Sequence, residues 1–165
     1  MTNYYTGIGS RNTPPNILSL MSKIAIFLSK KNYILRSGGA KGADEFFAKD
    51  IDDNKKQIFL PWKGFNNNYD HKFPITEDAL KMAEEFHPAW NNCSDGAKKL
   101  HSRNCYQVLG YDLKTPSKFV ICWTKGGKLI GGTSQALRIS LKNNIKIYNL
   151  ALEEDKKFCE EKINE

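Results

Sequence analysis

Apolar and polar positions alternate between two periods along this chain. Asn3 to Ile8 is a short apolar run, and after it Ile17, Leu20, Met21, Ile24 and Leu28 recur at helical spacing. Gly7-Ile8-Gly9-Ser10 and Thr13-Pro14-Pro15 separate the two, so the segment reads as strand, turn and helix. Tyr33-Ile34-Leu35-Arg36 is a second strand, followed by Ser37-Gly38-Gly39-Ala40-Lys41-Gly42-Ala43-Asp44 and a short helix carrying Phe46, Phe47 and Ile51. Gln57 to Leu60 is a third strand, ending at Pro61-Trp62. From Lys63 to Phe73 the glycine and asparagine content predicts a long loop, and long loops in compact domains are often lids or binding loops. Helical patterns follow at about Thr76–Phe86, broken at His87-Pro88, and at about Ser94–Leu109. Lys118 to Trp123 reads as a buried strand and Gly126-Gly127 as a turn. Gly131-Gly132-Thr133 opens a helix running to about Lys142. Ile145 to Leu150 is the last strand, and a charged helix ends the chain.

Strands separated by helix-length segments require crossover connections, which place helices on the faces of a parallel sheet. The expected fold is α/β: a Rossmann-like, doubly wound, mainly parallel sheet of about five strands with helices on both faces, in one domain covering residues 1–165. Such sheets bind ligands outside the carboxyl ends of their strands, where the strand order reverses. The residues just after each strand are therefore the candidates for chemistry.

Composition narrows the class without changing this picture. At 165 residues, 40% hydrophobic and 26% charged, the chain has the content of a globular domain rather than a disordered one. It contains no apolar run of the ~20 residues that span a bilayer, and Met1-Thr2-Asn3 lacks the basic start of a signal peptide, so a cytoplasmic location and no membrane partner are expected. The 25 Lys and Arg against 18 Asp and Glu give +7, a general attraction for phosphates. Lysine pairs such as Lys30-Lys31, Lys55-Lys56 and Lys156-Lys157 fall on predicted helix ends and outer faces, leaving Arg11, Lys41, Lys63 and Arg103 as the basic groups expected near the glycine-rich sheet edge. Cys93, Cys105, Cys122 and Cys159 include no CxxC pair and are expected to be reduced. A zinc set drawn from His87, Cys93, His101 and Cys105 matches no finger or ribbon spacing, so no metal and no cofactor are expected.

Four post-strand segments carry glycine, hydroxyl or basic groups: Gly9-Ser10-Arg11, Ser37 through Asp44, Trp123-Thr124, and Gly131-Gly132-Thr133. Glycine lets backbone N–H groups approach a phosphate, and a following helix N-terminus adds partial positive charge and free donors. Ser37, Gly38, Gly39, Ala40, Lys41 and Gly42 form the densest of these cradles. Asp44 opens the next helix, as a dipole-stabilising carboxylate or as a ribose partner. Arg103, Asn104 and Gln107 share one helical turn, a grouping suited to phosphate or base-edge hydrogen bonding. Trp62 and Trp123, each directly after a strand, are candidates to stack on a base or to fill the core. No Ser/His/Asp or Cys/His arrangement can be assembled from spacing.

At these residues the sequence resembles the SLOG superfamily, which joins the DNA-processing DprA/Smf proteins, the LONELY GUY phosphoribohydrolases and nucleotide-sensing domains of bacterial defence proteins. The resemblance rests on Tyr5-Thr6-Gly7-Ile8-Gly9-Ser10-Arg11, Arg36-Ser37-Gly38-Gly39-Ala40-Lys41-Gly42-Ala43-Asp44, Arg103-Asn104 and Gly131-Gly132-Thr133, and Ser-Gly-Gly-Ala-x-Gly-Ala-Asp is its most specific part. Short stand-alone SLOG proteins of bacteria and their phages are similar over the same stretch. The resemblance implies a nucleotide-type ligand, such as an ADP-ribose derivative or a cyclic nucleotide, and a homodimer or higher oligomer. It also implies sequestering or sensing of a signalling nucleotide, including as a phage counter-defence sponge. LONELY GUY enzymes cleave an N-glycosidic bond with an arginine, which Arg103 matches, and a glutamate, whose position holds Ala136 here. No catalytic residue is therefore assigned. Should the chain be such a hydrolase, Arg103, Asp44 and Glu45 are the candidates. The DprA side of the resemblance implies single-stranded nucleic acid as the alternative partner.

Overall fold

The computed structural model describes residues 1–165. Five strands, β1 (Asn3–Gly7), β2 (Tyr33–Ser37), β3 (Lys56–Ile58), β4 (Phe119–Cys122) and β5 (Lys146–Asn149), form one sheet in the order β3-β2-β1-β4-β5. Every neighbouring pair is parallel, with Thr6 beside Arg36 on one side and Val120 on the other. The chain moves outward from β1 to β3, crosses back, and continues outward from β4 to β5. That reversal places the switch point between the carboxyl ends of β1 and β4.

Each helix follows from its apolar stripe. In α1 (Pro15–Lys30), Pro15 fits the first turn, where its missing N–H costs nothing, and Ile17, Leu20, Met21, Ile24 and Leu28 are buried as their spacing predicts. With α2 (Ala43–Ala48) and α6 (Glu153–Ile163), it covers one sheet face around Tyr5, Leu35 and Ile121. The opposite face carries α4 (Asp95–Leu109) and α5 (Ser134–Lys142), with α3 (Glu77–Phe86) packed outside them. There Val120, Cys122, Val108, Leu109, Leu137 and Ile139 form a second core. Each large aliphatic or aromatic side chain so buried contributes ~1.5–3 kcal/mol. Ser94 and Thr76 cap α4 and α3 by accepting the N–H groups of Ala97 (3.1 Å) and Ala79 (3.3 Å).

The pattern reading runs past two element ends, since α2 stops at Ala48 short of Ile51 and β3 at Ile58 short of Leu60, and two further differences bear on the sheet edge. Helix α5 begins at Ser134 rather than at Gly131, because Gly131 has φ +75°, a left-handed conformation that interrupts helical geometry. The segment from Lys63 to Phe73 is a pinned loop: Phe65 is buried with its ring edge-on to Trp62 at 5.4 Å, and Asn66 Nδ2 donates to the carbonyl of Gly39 at 3.1 Å. No helix is long and apolar enough to cross a membrane.

Candidate functional site

A cleft of about 550 Å³ lies at the switch point. Its floor is the turn after β1 (Ile8 to Asn12) and Thr124 after β4. One wall is the α4 face bearing Ala97, Leu100, His101, Arg103, Asn104 and Gln107, and the other is the entry to α5. Ala40 and Asp44 close the end beneath β2. The charged lining is Arg11, Arg103 and Lys125 against the single carboxylate of Asp44.

Arg103 organises the inner end. Although 6% exposed, it reaches the loop after β2 and donates from Nη1 to the carbonyl of Gly38, while Nε donates to Asn104 Oδ1 at 3.0 Å. The ring of Phe65 lies 5.4 Å from the guanidinium carbon. Burial lowers the Arg103 pKa to about 10, partly countered by the nearby Asp44 charge, so the guanidinium stays charged at neutral pH. Asn104 in turn donates from Nδ2 to the carbonyl of Gly132 at 3.1 Å, tying α4 to the α5 entry. Asp44 accepts the Ala40 N–H at 3.1 Å, and burial pushes its pKa up to about 6 against the opposing pull of Arg103 and these donors. The inner cleft thus pairs a fixed cation with a carboxyl group that ionises close to neutrality.

Free backbone donors line the outer part. Ser10 N–H donates to Trp123 O at 3.2 Å, and Ser10 Oγ accepts the Asn12 N–H at 3.0 Å, which folds the turn so that the N–H groups of Gly9 and Arg11 have no protein acceptor. At the α5 entry the N–H groups of the lining residues Gly131, Gly132 and Thr133 are likewise without one. This is the donor-rich, partially positive environment that favours an anion. A Cβ added at Gly131 or Gly132 would meet nothing within 4 Å, so the cleft is open against this turn.

The structure brings Gly9, Ser10, Arg11, Ala40, Asp44, Arg103, Asn104, Thr124, Gly131, Gly132 and Thr133 to the cleft lining, and places the remaining sequence candidates elsewhere. Ser37 is buried and donates to the Gly7 carbonyl at 2.6 Å. Gly38 makes room for Arg103 and Gln107, Gly39 faces Ile58 and Leu60, and Gly42 (φ +85°) packs on the Arg11 backbone. These glycines build the cleft's end rather than touch its interior. Lys41 points to solvent, Trp62 lies beside Gly96 on the outer surface, and Trp123 is half-buried and packs against the core under α1 and α2. The 63–73 loop, Lys63 included, contributes nothing to the lining. Glu45 caps Gly42, accepting its N–H at 3.1 Å, and Ala136 is fully buried in the core. Ile8, Asn12, Ala97, Leu100, His101, Gln107, Lys125 and Ile130 complete the lining. Gln107 sits one turn from Arg103 and was legible from helical spacing, whereas Lys125 sits in a surface turn whose direction no local pattern gives.

Comparison with family models, curated proteins and solved structures returned no match to this chain.

Outside the anion-friendly part of the cleft, three groups excluded by spacing from a zinc motif meet in space. His87, Cys93 and His101 bring one potential ligand atom each to within 4.8 Å of one another, while Cys105 is buried and directs its thiol at the carbonyls of Ala79 and His101. Burial, reinforced by the positive charge of neighbouring groups, lowers the His101 pKa to about 4.

Proposed function

We propose that this chain binds a nucleotide or nucleotide-derived ligand, such as an ADP-ribose derivative or a cyclic nucleotide, in the switch-point cleft. One observation carries the reading: the buried Arg103 and the residues whose backbone N–H groups have no protein acceptor, Gly9, Arg11, Gly131, Gly132 and Thr133, all line one opening. Phosphate groups match those donors, and Asp44, once ionised, is an acceptor for ribose hydroxyls. The volume suits a compact ligand rather than a strand. The resemblance to SLOG proteins points the same way and extends the reading to sequestering or sensing a signalling nucleotide.

Calorimetric titration with adenine nucleotides, ADP-ribose derivatives and cyclic nucleotides tests the proposal, and no heat across the panel overturns it. Recovering the ligand intact from the denatured complex distinguishes holding from turnover.

A second reading has its own observation. Asp44 is the one carboxylate in the cleft, buried and held near pKa 6 beside Arg103, which is the placement of a general acid for N-glycosidic cleavage. Release of free base from a nucleoside monophosphate, abolished in Asp44→Asn, is its signature. Absence of any cleaved product leaves binding alone.

A further inference from the structure

We propose that His87, Cys93 and His101 form a binding site for a divalent transition metal of zinc type, with three protein ligands and a fourth position left to water or a ligand. The three come from separate pieces of chain. His87 ends α3, Cys93 lies in the linker before α4, and His101 sits in the middle of α4. Only the docking of α3 on α4 brings them together.

The geometry is close to what a metal needs. A tetrahedral ion with bonds of ~2.0–2.3 Å to nitrogen and sulfur holds its ligand atoms ~3.3–3.6 Å apart. Cys93 Sγ is 3.8 Å from both ring nitrogens of His87, and the two imidazole centroids are 4.3 Å apart. All three side chains are half-buried, enough to shed water and still admit an ion. Their soft and borderline donors, one thiol and two imidazoles, select zinc, copper or nickel over magnesium or calcium.

One local feature favours occupancy and another sets its cost. His101 Nδ1 is buried with no hydrogen-bond partner, and coordination through that nitrogen gives it one. His87 Nδ1 accepts the Ala89 N–H at 3.1 Å, so ligation through that nitrogen gives up one hydrogen bond, a cost the coordinate bond exceeds. The nearby charges of Arg138 and Arg103 repel a free cation, but the Cys93 thiolate formed on binding offsets them. Because His101 also lines the cleft, the ion belongs to the cleft wall and fastens the 87–93 linker to α4.

The test uses the full chain, stripped with a chelator and titrated with Co²⁺ alone. The expected result is one cobalt per chain with tetrahedral d–d bands and a thiolate-to-cobalt charge-transfer band, displaced by Zn²⁺. Cys93→Ser removes the charge-transfer band, and His87→Ala weakens affinity by more than the ~10–100-fold that losing an outer partner costs. Zinc raises the melting temperature of the wild type and not of Cys93→Ser. Cys93 is half-exposed, so its replacement leaves the fold intact, as circular dichroism checks. Failure of cobalt to bind stoichiometrically, or a charge-transfer band unchanged in Cys93→Ser, overturns the proposal.

Discussion

The guanidinium of Arg103 and the carbonyl of Gly38 are joined by a buried hydrogen bond that exists because residue 38 has no side chain. A Cβ at that position would lie 2.5 Å from Arg103 Nη1 and would also overlap the amide of Gln107. Gly38→Ala therefore forces both α4 side chains away from the inner cleft. The expected cost is ~1–3 kcal/mol of stability from overpacking. Since the same side chain holds the cleft's buried cation, nucleotide affinity falls by ~10-fold or more, the scale of a hydrogen bond to a charged group. Urea denaturation and calorimetry read the two effects separately. Retention of wild-type affinity in Gly38→Ala would detach Arg103 from ligand binding.

Gly132 gives the complementary test. Its φ is ordinary and a Cβ there meets nothing within 4 Å, so Gly132→Ala leaves the melting temperature within about two degrees, as a surface change of under ~0.5 kcal/mol should. The new methyl nevertheless projects where a phosphate would approach the free N–H groups of the α5 entry. Affinity drops while stability stays, and Gly132→Val deepens the loss. Gly131→Ala behaves differently, because φ +75° strains any residue with a Cβ, and it costs ~1 kcal/mol before a ligand is considered.

The contrast between these glycines shows where pattern reading stops. Periodicity located the strands and helices because burial repeats every two or every 3.6 residues, and Ile17, Leu20, Met21, Ile24 and Leu28 are buried as that spacing requires. Glycine-rich turns after β1, β2 and before α5 marked the sheet edge that carries the cleft. A glycine that faces a ligand and one that yields space to a distant arginine look alike in sequence, however, and Gly38 is of the second kind. Trp62 and Trp123 shared a position after a strand, yet one packs on the surface loop and the other against the core, because tertiary packing sets which way a side chain turns there. His87, Cys93 and His101 match no local motif, since their meeting depends on how α3 docks on α4.

The ionisation of Asp44 has a consequence for stability. Its pKa rises from an ordinary 3.8 to about 6 on folding, so between those values the folded state binds the extra proton. Stability contributed by this group is present at low pH and lost as pH rises toward 6 and above, by up to about 3 kcal/mol at ~1.4 kcal/mol per pKa unit. His101 has the opposite sign: its pKa falls from 6.5 to about 4, so its contribution is present above pH 6.5 and is lost as pH falls toward 4. The two slopes oppose each other in the wild type. Asp44→Asn removes one of them, keeps an acceptor for the Ala40 N–H, and is more stable than the wild type at pH 7 but not at pH 4. Parallel curves for the two proteins from pH 4 to 7 would mean that Asp44 stays solvated.

Salt separates the cleft reading from strand binding. A single-stranded nucleic acid neutralised at several phosphates releases counterions in proportion, giving a log–log slope of about −0.7 per phosphate contacted. The cleft offers Arg11, Arg103 and Lys125, the last two with different access, since Arg103 is buried and Lys125 exposed. A nucleotide held chiefly by Arg103 and backbone N–H groups contacts fixed, desolvated donors that ionic screening reaches poorly. Its affinity should change by no more than a slope of about −1 to −2 between low and physiological salt, and Lys125→Ala should flatten even that. Because the surplus lysines lie mostly on outer faces, any oligonucleotide binding should be weak and collapse over the same range. A steep slope of about −4 or beyond for an oligonucleotide, together with tighter binding than any mononucleotide, would make the strand the ligand and the cleft one contact among several.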